Sequence, residues 1–365
     1  MASAGINFNN LTPSNGAIQS LRELIFLALV DVETIGNLVK FMPKQKHGDK
    51  LGFVGEFGLL GKAHQGCDPT YANDLVNTSE KTWDIKRWEI AEALCYADLE
   101  GTVAALALKT KTNVADLTGT EYMDEIVAPL LERAVKKLIL RFAFFGDKNA
   151  STYDPDDHTT GTLKPGVDAG YFNLINGFFQ QIFAGVAAGT ISRVVVDANT
   201  KTTSALQKAA IKTAGAATGI MDELIESASP VLRQLTGKRI YVTQALADAL
   251  AADIKANNKG SELQWEAIFD GITKTTYNGI EVVALPFWDE IIQGYLQNNT
   301  NVGAWDKPYR AIFTIKDNLL VGSESEDAVA DINIFFDQKT KKNYIDAMDT
   351  IGALIGQDNL INVAY

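Results

Sequence analysis

The stretch Thr120–Gly146, TEYMDEIVAPLLERAVKKLILRFAFFG, decides how the rest of the chain is read. Its apolar residues Met123, Ile126, Val127, Leu130, Leu131, Ala134, Val135, Leu138, Ile139, Phe142 and Phe145 recur at three- and four-residue steps, the period of one helix face. That spacing predicts a long amphipathic helix, roughly 38 Å at ~1.5 Å per residue. Thr118 with Glu121 three residues on offers a capping box, and Gly146 stands where a left-handed C-terminal cap is expected. Glu121, Asp124 and Glu125 in the first turns and Lys136, Lys137 and Arg141 in the last ones complement the helix dipole. Pro129 predicts a kink, or a start two turns later. Globular helices average about 11 or 12 residues, so a rod this long reads as a strut on which other parts dock.

Outward toward the N-terminus, residues 1–17 are small and polar and are expected to form an extended arm. Apolar spacing over Ile18–Leu38 predicts a second amphipathic helix. From Gly48 to Trp88 the texture changes, with Gly48, Gly52, Gly55, Gly58, Gly61 and Gly66 interleaved with Phe53, Val54, Phe57, Leu59 and Leu60. Glycine at that density opposes a helix and weakens a lone strand, so an extended excursion is expected that takes its order from another surface. An excursion of about 40 residues showing Phe, Leu and Trp is most simply covered by a neighbouring subunit. Phe53, Phe57, Leu59, Leu60 and Trp83 are the expected inter-subunit contacts. The run ending Gly61-Lys62 fails as a phosphate-binding loop, because Ala63 stands where Ser or Thr is needed and Glu56 where the first glycine is needed. The return through Lys81, Trp83, Ile85 and Arg87 alternates like a strand, and Ile90–Leu99 reads as helical.

Outward toward the C-terminus, Asp147–Gly166 is a polar loop, and from Gly170 the pattern becomes mixed α/β. Helices are expected at 171–183, 204–213, 220–235, 245–256 and 286–296. Strands are expected at 191–196, 239–242, 280–285, 310–315 and 318–321. The runs Val194–Val196 and Val282–Leu285 suit strands covered on both faces. The tail, Val329–Tyr365, reads as strands with a turn at Gly352 that return to pair beside the long helix.

With 365 residues, 46% hydrophobic and 21% charged, the chain can bury a full core. The run Leu24–Val30, flanked by Arg22, Glu23, Asp31 and Glu33, is too short to span a bilayer, and no secretory signal is recognised, so no membrane partner is expected. A net charge of −12 argues against gripping nucleic acid through its phosphates, though not against enclosing it. Two cysteines, Cys67 and Cys95, and three histidines, His47, His64 and His158, are too few for a four-ligand zinc site of the usual spacing. No metal, cofactor or catalytic residue is expected. The acidic loop Asp154–His158 is the one place where a divalent-metal cytosolic enzyme would be sought, and a solvated turn is the plainer reading.

The order of excursion, strut and mixed domain resembles the tailed-phage major capsid proteins of the Hong Kong 97 fold. The resemblance is carried by the strut ending in FFGD, by KRIYVTQALADAL at Lys238–Leu250 and by YNGIEVVALPFWD at Tyr277–Asp289. It implies an α+β architecture: an N-terminal arm and helix over 1–46, an E-loop over 47–95 and a peripheral domain with a spine helix over 96–170. An axial domain over 171–325 and a return to the peripheral domain over 326–365 complete it. It further implies self-assembly through pentamers and hexamers into an icosahedral virion shell, built in a host bacterial cytoplasm and enclosing double-stranded DNA without sequence-specific binding. Portal, scaffolding and decoration proteins are the further partners it suggests. An encapsulin compartment shares the same fold. Members that crosslink use a Lys, an Asn and a Glu; Lys50 or Lys62 fits the first role, and no residues here match the other two.

Overall fold

The computed structural model describes residues 37–57, 76–95, 116–118, 127–154, 161–257, 265–269, 272–325 and 332–365. The expected arm, the helix over 18–38 except its last two residues, Leu59, Leu60 and residues 155–160 lie outside them.

The described part of the strut is helix α1, Ala128–Phe145, with Pro129 in its first turn, where a missing N–H costs nothing. Its last turn holds no basic residue. Arg141, one turn earlier, instead donates from Nε to the Tyr171 carbonyl at 3.0 Å. Gly146 is not a left-handed cap: its φ is −55° and its ψ 135°. Glycine is required there by close approach. A Cβ on Gly146 would lie 2.6 Å from both the Ile175 and Phe142 carbonyl oxygens, and one on Gly177 would lie 2.7 Å from those of Ala143 and Phe142. The Gly177 N–H donates to the Gly146 carbonyl at 2.8 Å, locking the strut's end to the start of helix α2, Phe178–Ala187. The helix expected over 171–183 thus begins later, after a 3-10 turn at Ala169–Tyr171.

Strands β1 (Lys40–Met42), β2 (Lys50–Phe57), β3 (Val76–Thr82) and β4 (Lys86–Cys95) precede the strut. β4 replaces the helix expected from Ile90. Its Ala, Glu and Leu favour a helix in isolation, but a ten-residue antiparallel ladder with β13 (Lys342–Ile355) overrides that preference. After α2 come β5 (Ser192–Val194), α3 (Ser204–Ile211), α4 (Ala216–Glu226), α5 (Pro230–Gln234), β6 (Lys238–Thr243) and α6 (Gln244–Asn257). The single helix expected over 220–235 is two, because Ser229 caps a fresh start and Pro230 cannot continue the old one. Strands β7 (Glu266–Phe269) and β8 (Ile272–Tyr277) were not expected. β9 (Ile280–Leu285), α7 (Pro286–Gly294), β10 (Ala311–Ile315) and β11 (Leu319–Gly322) match expectation closely, and β12 (Ile332–Asp337), β13 and β14 (Ile361–Ala364) form the tail.

Three sheets result, the smallest of them the β2–β3 pair. A five-stranded sheet joins β1, β11, β13, β12 and β4; a seven-stranded sheet runs β5-β14-β10-β6-β9-β8-β7. The tail therefore divides. β13 packs beside α1 as expected, whereas β14 enters the other sheet between β5 and β10. β13 also passes straight through Gly352 with no turn. The central strands of the larger sheet are buried on both faces. Ile240, Val242, Val282, Ala284 and Phe313 join a core with α4 and α6, while Tyr241, Val283, Leu285 and Ile312 join the core of α1, α2 and α7. The run Val194–Val196 departs from expectation: β5 ends at Val194, and Val194 and Val196 are buried but Val195 is 56% exposed. Phe144 of the strut sits at the junction, its ring 5.1 Å from Phe178 and 5.2 Å from Trp288.

Candidate assembly surface

β2 and β3 pair antiparallel with each other and with no other described strand, so the glycine-rich excursion is a two-stranded hairpin on both flanks of residues 58–75. A lone two-stranded hairpin is at best marginally stable in water, so what fixes its root matters. Trp83, at the root, is 1% exposed and clusters with Ile85, Leu320 and Leu354. The sequence expectation of an exposed contact fails for this residue: the indole fills a notch in its own sheet. A Cβ on Gly322 would come within 2.8 Å of the indole ring, and one on Gly352 within 2.8 Å of Ile85 and 3.3 Å of the indole. Phe53 is half-buried against the same cluster, its ring over Gly356. The Gly48 N–H donates to the Trp83 carbonyl at 2.9 Å and the Trp83 N–H to the Asp49 carbonyl at 2.8 Å, closing the hairpin's mouth.

Charged contacts tie the root sideways. Lys81 pairs with Asp358, which also accepts from the Thr190 hydroxyl at 2.9 Å. Lys148, just past the strut, pairs with Asp84, and His47 Nδ1 lies 3.5 Å from the same carboxylate. Beyond the root, a register shift between Val54 and Phe57 marks a bulge, which bends a strand. The structure thus places Trp83 and Phe53 at the root and Phe57 at the end of β2.

The outer face of the β4–β13–β12 sheet presents a second apolar feature. Phe335 is 48% exposed and stacks on Tyr344 with centroids 5.6 Å apart, and Met348 is 52% exposed opposite Glu89. The alternate residues Ile345, Ala347 and Ile351 are buried, the last two in the core of α1, α2 and α7. The sequence reads here as strands with alternating faces, and that alternation separates the two faces, but the exposed strip is not among the expected contacts. Among the described residues no group of three His, Cys, Asp or Glu could hold a metal, and no helix is long and apolar enough to cross a membrane.

No family model matches this sequence, and no curated protein matches it. Solved structures do match. A chain of the capsid of an empty GTA particle, computed with C5 symmetry, aligns over 96% of this chain and 99% of its own at TM-score 0.51 and 11% identity. A chain of Gordonia phage Cozz aligns over 90% of this chain and 85% of its own at TM-score 0.50 and 12% identity. Mycobacterium phage Ogopogo supplies a further match over 91% of both chains at TM-score 0.49 and 10% identity. The mixed α/β fold described above is the fold of that GTA capsid chain, spanning nearly all of both molecules.

Proposed function

We propose that this chain is the major capsid protein of a tailed phage, of the Hong Kong 97 type, and that its copies close into an icosahedral shell around double-stranded DNA. The observation that carries the reading is the near full-length match to a capsid chain, joined to a hairpin whose strands pair with no other described strand. On this reading the hairpin is the E-loop, α1 is the spine, and the seven-stranded sheet is the axial domain of pentamers and hexamers. The work is mechanical and involves no catalytic step. The hairpin beyond its root, with Phe57, Leu59 and Leu60, lies on a neighbouring copy, and the outer strip of Phe335, Tyr344 and Met348 is the apolar ground it meets. At ~25 cal/mol per Å2, each few hundred Å2 buried contributes several kcal/mol before ordering costs, and repetition over the shell multiplies it.

Electron microscopy of the purified full chain tests this. Closed shells are expected, and deleting residues 58–75 should leave folded subunits that do not close. Shells of normal size from the deletion, or a monomer at high concentration, would overturn the reading. Particles filled with a protein cargo in place of DNA would identify an encapsulin compartment.

A further inference from the structure

A pocket of about 280 Å3 opens between the end of α1, helix α2 and the segment joining α7 to β10. Phe145, Phe172, Phe179 and Phe183 line one part of it and polar side chains, Gln180, Gln297 and Asn298 among them, another, with Arg310 in the wall. Arg310 is only 2% exposed. Its guanidinium carbon sits 4.5 Å from the Phe179 ring centroid and 5.6 Å from those of Phe145 and Phe183. Nε donates to the Lys307 carbonyl at 2.9 Å, and Nη2 donates to the carbonyl and the carboxylate of Asp306, each at 3.0 Å. Nη1 has no partner among the described residues.

We infer that this pocket binds a carboxylate carried on a short apolar stem, with Arg310 Nη1 donating to the carboxylate and the stem lying among the phenylalanines. Charge sets the class of ligand. Arg310 and Lys307 are already balanced in the walls by Asp306 and Asp147. Asp147 is itself occupied, accepting from the Asn149 N–H and from Gln180 Nε2, both at 2.9 Å. With those charges balanced, a dianionic phosphate would add two uncompensated charges, whereas a carboxylate adds one, and that one meets a donor already held in place. The acid has two sources: a free aromatic acid, or a carboxylate side chain of a second copy, of which this chain has 45 against 33 Lys and Arg.

Benzoate is the probe, titrated by saturation-transfer NMR against the full chain, as unassembled subunits and as assembled particles, with neutral benzamide alongside. Wild-type subunits should bind benzoate and not benzamide. Arg310→Met should weaken binding ~10- to 100-fold. Thr300→Trp, a change at the exposed rim that leaves Arg310 in place, should block the pocket and keeps the test alive if Arg310→Met fails to fold. Benzoate binding to subunits and particles alike assigns the pocket to a free acid. Binding to subunits alone assigns it to a second copy's side chain. Equal binding of benzamide, or no binding to wild-type subunits, overturns the inference, and since subunits suffice, it stands or falls apart from the shell reading.

Discussion

Trp83 holds the hairpin root, and its slot allows a quantitative test. Trp83→Ala removes a side chain that is 1% exposed and packed against Ile85, Leu320 and Leu354, so a loss of about 3–5 kcal/mol is expected. Trp83→Phe should cost under about 2 kcal/mol, because the indole N–H is buried without an acceptor and removing it recovers part of the lost packing. Gly322→Ala places a methyl 2.8 Å from Cζ3 and 3.0 Å from Cη2 of a ring that cannot bend away, an overpacking cost of about 1–3 kcal/mol. In the Trp83→Ala background that methyl enters vacated space, so the two changes should couple by about 1–3 kcal/mol. Urea titration of unassembled subunits, followed by circular dichroism, measures all four corners of the cycle. If Gly322→Ala costs the same in both backgrounds, the slot is not what requires the glycine and the account of the root is wrong.

Acid should stabilise the fold through Asp289. Burial raises its carboxyl from the ordinary 3.8 to about 6, while N–H donors from Gln244 and Ala245 at the start of α6 pull the other way. The native state then holds a proton that the unfolded chain lacks between these values. The resulting stability is complete below the unfolded value and is lost as pH rises through about 6, roughly 3 kcal/mol in all. Asp289→Asn should flatten that limb in urea titrations run across the interval. Asp253→Ala should cost about 1–3 kcal/mol, because this buried carboxylate accepts from the Ala217 and Thr218 N–H groups at 2.9 and 3.3 Å and caps α4, whose own N-cap is Gly215; thermal melts read the loss. Gly146→Ala should exceed about 3 kcal/mol, since two carbonyl oxygens stand 2.6 Å from the new methyl, and a midpoint within a degree or two of wild type would refute the close-approach account.

Where burial is total, the residues themselves announce the element. IEVVAL and AIFTI read as strands because both faces meet a core, and the strut read as a helix because one face does. β8, ITKTTY, passed unseen: its threonines and lysine carry little apolar signal, and its ladder with β9 is what makes it a strand. KRWEIAEALC was misread for the converse reason, a helix-favouring local sequence captured by β13. Three glycines were given turn or cap roles or none, yet Gly146, Gly322 and Gly352 are notches for residues remote in sequence. The same remoteness hid the capping of α4 by Asp253 and of α6 by Asp289. At the candidate surface, glycine density among apolar residues marked an extended excursion, not its pairing into two strands. It did not show that Trp83 turns inward, because the notch that receives it is built by residues more than two hundred positions later.

On the proposed shell reading, that inward turn sets how the hairpin reaches a neighbour. β2 and β3 comprise eight and seven residues, and fixing the backbone of that many costs on the order of 15–30 kcal/mol. A contact of a few hundred Å2 on another copy returns only several kcal/mol, so docking alone does not order the hairpin. The ladder between β2 and β3, the Trp83 slot and the Lys81–Asp358 and Lys148–Asp84 pairs lower that cost within the subunit, so that on the shell reading less of it falls on the contact with a neighbour. Hydrogen exchange on unassembled subunits should therefore find the N–H groups of Trp83 and Gly48 protected before any shell forms, and Trp83→Ala should expose both. Protection that appears only on assembly would mean that the neighbour, and not the root, supplies the order.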